Sequence, residues 1–216
     1  PDALETFKQP TGLAANPDDD SLPHLYAVCL YNHGVALDKS NDTEEAIAQY
    51  RQALDILPHF TQAQTNLFHA LLRMGHLGEG FALQERRWHD PHKRTSYAHC
   101  FEKPTWDGSP IPGKTLLLFA EQGFGDAIQF CRFVKVAAER CPRIILQAPP
   151  PLVPLMAHLA GVPDYRPPAG AEEHFDYQAS FMSLPHTLGI DTIDQIPRQV
   201  PYLLPPSAPP LPPPQK

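Results

Sequence analysis

Two spacings of apolar residues divide this chain. Up to about residue 90 the pattern is helical, with Tyr31-Asn32-His33-Gly34-Val35-Ala36-Leu37 followed by Glu45-Ala46-Ile47-Ala48-Gln49-Tyr50-Arg51-Gln52-Ala53-Leu54 and a proline at Pro58. Beyond residue 110 the pattern changes to short unbroken apolar runs separated by turns. Thr115-Leu116-Leu117-Leu118-Phe119-Ala120 reads as a strand buried on both faces. Glu121-Gln122-Gly123-Phe124-Gly125-Asp126 reads as a tight glycine turn. A helix is then expected from Asp126 to Arg140, with Ala127, Cys131, Val134 and Ala138 on one stripe and Phe130, Phe133 and Ala137 beside it, a face wide enough to cover a sheet. Arg143–Ala148 reads as a second strand. Pro149–Pro151 then opens a helix over Leu152–Ala160, capped by Gly161. Asp164–Arg166 and Phe175–Phe181 read as third and fourth strands, and Ser183-Leu184-Pro185 turns into a short helix near His186–Leu188. Strands alternating with helices at this spacing predict a parallel sheet with right-handed crossovers, the opening of a doubly wound α/β domain.

The helical half repeats itself. Aligning Ala27–Phe60 with Thr61–Arg94 superposes Asn32 on Asn66, Ala36 on Ala70 and Leu37 on Leu71, a period of 34 residues. Gly34, Ala46, Tyr50, Ala53 and Pro58 stand where the tetratricopeptide repeat has its small, aromatic and terminating residues, and the unit resembles that family. The physical chemistry agrees. Small residues at Gly34 and Ala46 let two helices approach, Tyr50 fills the space between them, and Pro58 stops the second helix. The second unit departs from the pattern, with Phe68 at the position of Gly34 and Gly80 at that of Ala46. Phe81, Arg86-Arg87 and Trp88 follow, and Phe81 and Trp88 are expected to be buried where the helical part meets the α/β part. Ala3–Phe7 reads as the end of an earlier repeat and Asn16–Asp20 as an insertion. The resemblance implies a protein partner held in the concave surface of the repeats.

Composition narrows the classes. The 216 residues carry a net charge of −7 with no basic stripe, which argues against a nucleic-acid partner. No apolar run approaches the roughly 20 residues of a membrane span. Cys29, Cys100, Cys131 and Cys141 show no C-x-x-C spacing and read as free thiols in a reducing compartment, so a cytoplasmic location is expected. Seven of the ten residues from Pro205 to Pro214 are proline, an extended tail rather than helix or central strand. The first residue is Pro1 rather than Met, so an earlier start is expected.

Several motifs fail on mechanism. Gly108-Ser109-Pro110-Ile111-Pro112-Gly113-Lys114-Thr115 matches the phosphate-loop pattern, but the predicted strand follows it rather than precedes it, and Pro110 and Pro112 remove two N–H donors. Gly123-Phe124-Gly125 opens a dinucleotide fingerprint, but Ile128 stands at the third glycine, and Asp126 sets a negative charge where a pyrophosphate would lie. His89, His92, His99 and Cys100 lack the spacing of a zinc site and read as surface residues of a linker. No G-x-S-x-G elbow is present. Neither metal nor resident cofactor is expected.

The order of motifs is itself informative. The repeat leads to Gly80-Phe81 and Arg87-Trp88, then to Trp106-Asp107-Gly108-Ser109, Gly113–Leu118, Glu121–Asp126 and Gln129-Phe130, and later to Phe175-Asp176, Ser183-Leu184-Pro185 and Val200-Pro201-Tyr202-Leu203. In this the chain resembles bacterial repeat-containing proteins whose second half is similar to glycosyltransferase family 9, the heptosyltransferases, over most of Ala27–Leu204. The resemblance implies an α plus α/β organisation. Repeat hairpins would span 1–90, a linker 91–110, and a Rossmann-like half 111–204, the acceptor side of a GT-B architecture. The proline-rich tail 205–216 stands where the donor domain would begin. It implies transfer of a sugar from a nucleotide-sugar to a glycan or protein acceptor. The donor would bind only in a longer protein, and this stretch alone would be inactive. In that family an acidic residue in the turn after the first strand is a candidate general base, and Asp126 holds that position, with Glu121 in reserve. Gln122, Gly123 and Gly125 would form the acceptor-side loop. Asp126 has a second reading, as a residue that caps its helix. A non-catalytic protein-interaction scaffold is the alternative function.

Overall fold

A computed structural model describes residues 21–89, 91–97, 102–157, 159, 165–166 and 174–203. The expected earlier repeat at Ala3–Phe7, the insertion at Asn16–Asp20, His99, Cys100, Gly161 and the tail beyond Pro205 lie outside the described residues. The chain divides into two compact units, Pro1–Gln84 and Glu85–Lys216.

The first unit is helical. Helices α1 (Ser21–Lys39), α2 (Thr43–Ile56), α3 (Thr61–Arg73) and α4 (Leu77–Gln84) each pack on the one before. Their shared core gathers Ala27, Leu30, Ala46, Ile47, Tyr50, Ala53, Ala63, Leu67, Ala70 and Leu71. The period of 34 reappears in the helix ends. Past α3, Gly75 takes a left-handed φ of 82°, and the amides of Gly75 and His76 donate to the carbonyls of Leu72 and Leu71. Past α1, Asn41 takes a φ of 68° and the amide of Asp42 reaches back to Leu37. Glycine and asparagine are the residues that enter this conformation readily, and it supplies donors to carbonyls at a helix end that lack partners. The tyrosine between the helices is fully buried, its ring within 6.1 Å of Tyr31. A Cβ on Gly34 would stand 2.7 Å from the Tyr50 ring. After Gln84 the chain leaves the period, and α4 tightens into a 3-10 turn over Glu85–His89. Arg51 pairs with Glu79 and Arg73 with Asp38 on the surface of this unit. Phe81 is buried.

The second unit carries the sheet. A short helix α5 (Pro91–Ser96) precedes β1 (Thr115–Phe119), and β2 (Arg143–Gln147), β3 (Tyr165–Arg166) and β4 (Tyr177–Ser180) follow. All pairings are parallel and the order is β3-β2-β1-β4. β1 lies between β2 and β4, and Leu116 to Phe119 are buried, as its unbroken apolar run requires. Trp106 is also buried, its amide donating to Gln178 and its indole N–H to Ser109, so the segment before β1 lies along β4. The connection from β1 to β2 is helical but not one helix. It runs as α6 (Phe124–Phe130), a 3-10 turn Cys131–Phe133 and α7 (Val134–Arg140). It begins two residues before Asp126. Of the apolar positions expected to cover the sheet, Ala127, Phe130, Cys131, Phe133, Val134 and Ala137 are buried along it and Ala138 is half-buried. Burial pushes the Cys131 thiol up to about 12. Beyond β2, the expected helix is shorter, a 3-10 turn Pro150–Leu152 and α8 (Val153–Met156). Beyond β4, Phe181–Ser183 and α9 (Leu184–Thr187) follow.

At the amino end of the sheet Asp176 holds β1 and β4 together. Its carboxylate accepts from the amide of Thr115 at 2.9 Å and from Lys114 Nζ at 3.0 Å, and its own amide donates to the Thr115 carbonyl. The hydrogen bond from Thr115, with the Lys114 ammonium, holds the carboxyl below the ordinary aspartate value.

Two predictions come from this packing. Gly34→Ala should destabilise the helical unit by about 1–3 kcal/mol, since the ring it meets is itself locked in the core; urea unfolding reads this, and a change within about 0.5 kcal/mol, typical of surface sites, would refute the close approach. Asp176 has a depressed folded pKa, so its contribution is present above the unfolded value of about 3.9 and is lost as pH falls through the folded value. Asp176→Asn should therefore flatten the acid side of the stability curve below about pH 4, measured by thermal unfolding against pH. An unchanged acid limb would contradict it.

Candidate functional site

Parallel sheets bind ligands beyond the carboxyl ends of their strands, where neighbouring connections leave in opposite directions. In this sheet that place lies between β1 and β4. The turn after β1 and the 3-10 turn after β4 meet there, and α6 packs on the latter.

Glu121 leaves β1 pointing inward. Its side chain is 0 % exposed. A buried carboxylate is stable only when donors surround it. Arg87 Nε donates to both of its oxygens at 3.0 Å, Arg87 Nη2 donates to Oε1, and the Ser180 hydroxyl donates to the same oxygen. Arg87 is itself 9 % exposed and bonds further. Its Nη1 donates to Glu85 Oε1 at 2.7 Å and its Nη2 to Ser183 Oγ at 2.8 Å. The Ser183 hydroxyl then donates to Glu85 Oε2 at 3.0 Å, and Trp88 Nε1 approaches Ser183 Oγ at 3.4 Å. One guanidinium thus bonds two carboxylates and Ser183, and Ser180 joins the network through Glu121, so three separate stretches of chain meet here. Burial works against the charge on Arg87, but the bond and charge of Glu121, with Glu85, outweigh it and hold its pKa above the usual arginine value.

An aromatic cluster flanks this network. The Trp88 ring packs on Leu117, Phe119 and Ile145 together with Tyr97. It meets Tyr97 edge-on at 6.1 Å, while Tyr97 lies 5.5 Å from Phe119. The Arg87 guanidinium stands 4.7 Å from the Trp88 ring centroid. Tyr97 also reaches the turn after β1, where its hydroxyl accepts from the Gln122 amide at 3.4 Å.

The rest of that turn is open to solvent. Gln122, Gly123, Phe124 and Gly125 are exposed, and Gln122 takes a left-handed φ of 63°. Such a conformation in a residue with a side chain costs about 1 kcal/mol and persists where neighbours enforce it. Gly123 is the N-cap of α6, which makes Asp126 the third helical residue. The Asp126 carboxylate turns back toward the helix start, with Oδ2 3.8 Å from where a Cβ on Gly123 would sit. The residue is half-buried and has no hydrogen-bond or ion-pair partner among the described residues. The structure therefore brings the two acidic residues singled out from the sequence to one end of the sheet in different states, Glu121 enclosed and paired, Asp126 at the surface and unpaired.

Sequence reasoning did not find Glu85, Arg87, Tyr97, Ser180 and Ser183 as parts of this place. The available signal was Arg86-Arg87-Trp88, which follows a helix that has lost its repeat pattern. The phosphate-loop match Gly108–Thr115 ends as β1 begins, at the opposite end of the strands, and its Lys114 is engaged by Asp176. Among the described residues no three His, Cys, Asp or Glu side chains gather to hold a metal, and no helix is long and apolar enough to cross a membrane. No protein-family model, curated protein or solved structure matches the chain.

The aromatic cluster yields a stability prediction. Trp88 is half-buried rather than buried as expected, so Trp88→Ala should cost about 1–3 kcal/mol, below the range for a fully buried aromatic, read by chemical unfolding. A loss under about 0.5 kcal/mol would mean that the indole contributes no more than a surface side chain.

Proposed function

We propose that the second unit is the acceptor-side half of a GT-B glycosyltransferase similar to family 9, and that the first unit is a tetratricopeptide-repeat module that brings a protein partner or acceptor to it. The observation that carries this reading is the unpaired Asp126 carboxylate on the glycine turn at the carboxyl end of β1, beside β4. The strand order β3-β2-β1-β4, parallel throughout, supports a Rossmann-like half. The 34-residue recurrence of the helix ends at Asn41 and Gly75, and the Gly34–Tyr50 approach, support the repeat.

The role of general base falls to Asp126 rather than Glu121. Both oxygens of Glu121 are occupied by donors and shut from solvent, so no acceptor hydroxyl reaches them. Asp126 is accessible, and its carboxylate accepts the proton of an acceptor hydroxyl as that oxygen bonds to the anomeric carbon of the donor sugar. The bond from this carbon to the diphosphate oxygen breaks, and the nucleoside diphosphate leaves with the electron pair. Gln122, Gly123 and Gly125 present backbone and little bulk, which suits a loop that an acceptor must approach closely. The unpaired Asp126 carboxylate at the start of α6 would repel a diphosphate, so the nucleotide is placed away from this turn.

The alternative, a non-catalytic scaffold, draws on one observation, that the polar groups most buried at this end of the sheet are consumed by one another. The two readings separate by substitution. In the full-length protein Asp126→Asn should reduce glycosyl transfer by about 100-fold or more, scored across UDP-, GDP- and ADP-sugars, while unfolding stability changes little because Asp126 holds no partner. Undiminished transfer would remove Asp126 from the chemistry. Absence of transfer by the parent with every donor would favour the scaffold.

A further inference from the structure

We infer that Arg87 is a positioning residue for the turn that bears Asp126, acting through Glu121 rather than touching substrate. The inference rests on reading Asp126 as the base. Arg87 lies 34 residues before Glu121 and outside the sheet, in the 3-10 turn Glu85–His89. Its planar fork grips Glu121 at the first step of the turn, while Ser180 closes on the same carboxylate from the end of β4. One residue on, Tyr97 takes the Gln122 amide, and Gln122 is held in its left-handed conformation between these two restraints. Glu85 and Ser183 hold the far side of the guanidinium, so it cannot rotate away. A strained turn anchored at Glu121 and Gln122 fixes where α6 starts, and with it the place of Asp126 three residues into that helix. A guanidinium does this where an ammonium does not, because its donors are fixed in a plane.

The test replaces the pair without leaving a lone charge. Arg87→Met combined with Glu121→Met removes the fork and keeps apolar volume, a change that buried ion pairs often tolerate in stability. Amide hydrogen exchange is read at Gln122, with Ala120 as control because its amide is held by the Gln147 carbonyl of β2. The inference expects exchange at Gln122 to rise by about tenfold or more while Ala120 keeps its protection. Unchanged protection at Gln122 would overturn it. Should the double variant fail to fold, Glu121→Gln retains shape but breaks the charged fork, and the same contrast between Gln122 and Ala120 decides. In the full-length protein the inference further expects kcat to fall by about tenfold or more with KM little changed, since misplacement of a catalytic group acts on the reacting geometry. Arg87→Lys, which keeps the charge and loses the fork, should not restore kcat; full restoration would show that charge alone matters and overturn the positioning role. A parent protein that transfers no sugar would count against the function proposed for Asp126, while the exchange contrast would still decide whether Arg87 holds the turn.

Discussion

A carboxylate taken out of water needs donors for its oxygens, and Glu121 sits with its side chain fully enclosed at the exit of the central strand. Arg87 and Ser180 meet that need, and in doing so they draw the segment ahead of the sheet and the end of β4 onto the end of β1. Arg87 then requires Glu85 and Ser183 for its remaining donors. Removing one partner alone leaves a buried charge uncompensated, a loss of about 3–5 kcal/mol where such pairs have been broken. Trp88 and Tyr97, packed on Phe119, flank this network with apolar surface.

The two acidic residues of one short turn thus have opposite fates. Glu121 is turned inward, with both oxygens held by donors. Asp126, five residues later, sits in the first turn of a helix with its carboxylate near the helix start, where the backbone dipole favours negative charge. A charged group that no neighbour occupies is available to a ligand, whereas one bound on both oxygens is available to none. This contrast, rather than the presence of acids as such, distinguishes the two carboxylates at the carboxyl end of β1. The opposite end of the same strand is closed by Asp176, which binds Thr115 and Lys114 and joins β4 to β1.

The helical unit depends on a simpler constraint. Two helices come close only where one contributes no side chain, and Gly34 under the Tyr50 ring meets that condition. The second copy carries Phe68 and Gly80 at the corresponding sites, and its closing helix ends at Gln84 before tightening into a 3-10 turn. The cluster that holds Glu121 starts at the very next residue, so the loss of repeat pattern and the gain of buried polar partners fall at adjacent positions in the chain.

The amino-acid sequence by itself determined the local elements. An unbroken run from Leu116 to Phe119 has no polar face to turn outward and must become a central strand. Helix ends at Asn41 and Gly75 follow from residues that tolerate a left-handed backbone. Glu121 and Asp126 came forward as candidates only through the resemblance to glycosyltransferase family 9, which implies an acid in the turn after the first strand. Which of them is free was not legible, since it depends on partners far away in sequence. Arg87 lies 34 residues from Glu121, and Ser180 lies 59. Nor did periodicity reveal that the helix after β1 starts at Phe124 and is interrupted by a 3-10 turn at Cys131–Phe133. Hydrophobic patterning reports which face is buried, but a buried polar group is paid for only by contacts that tertiary structure brings together.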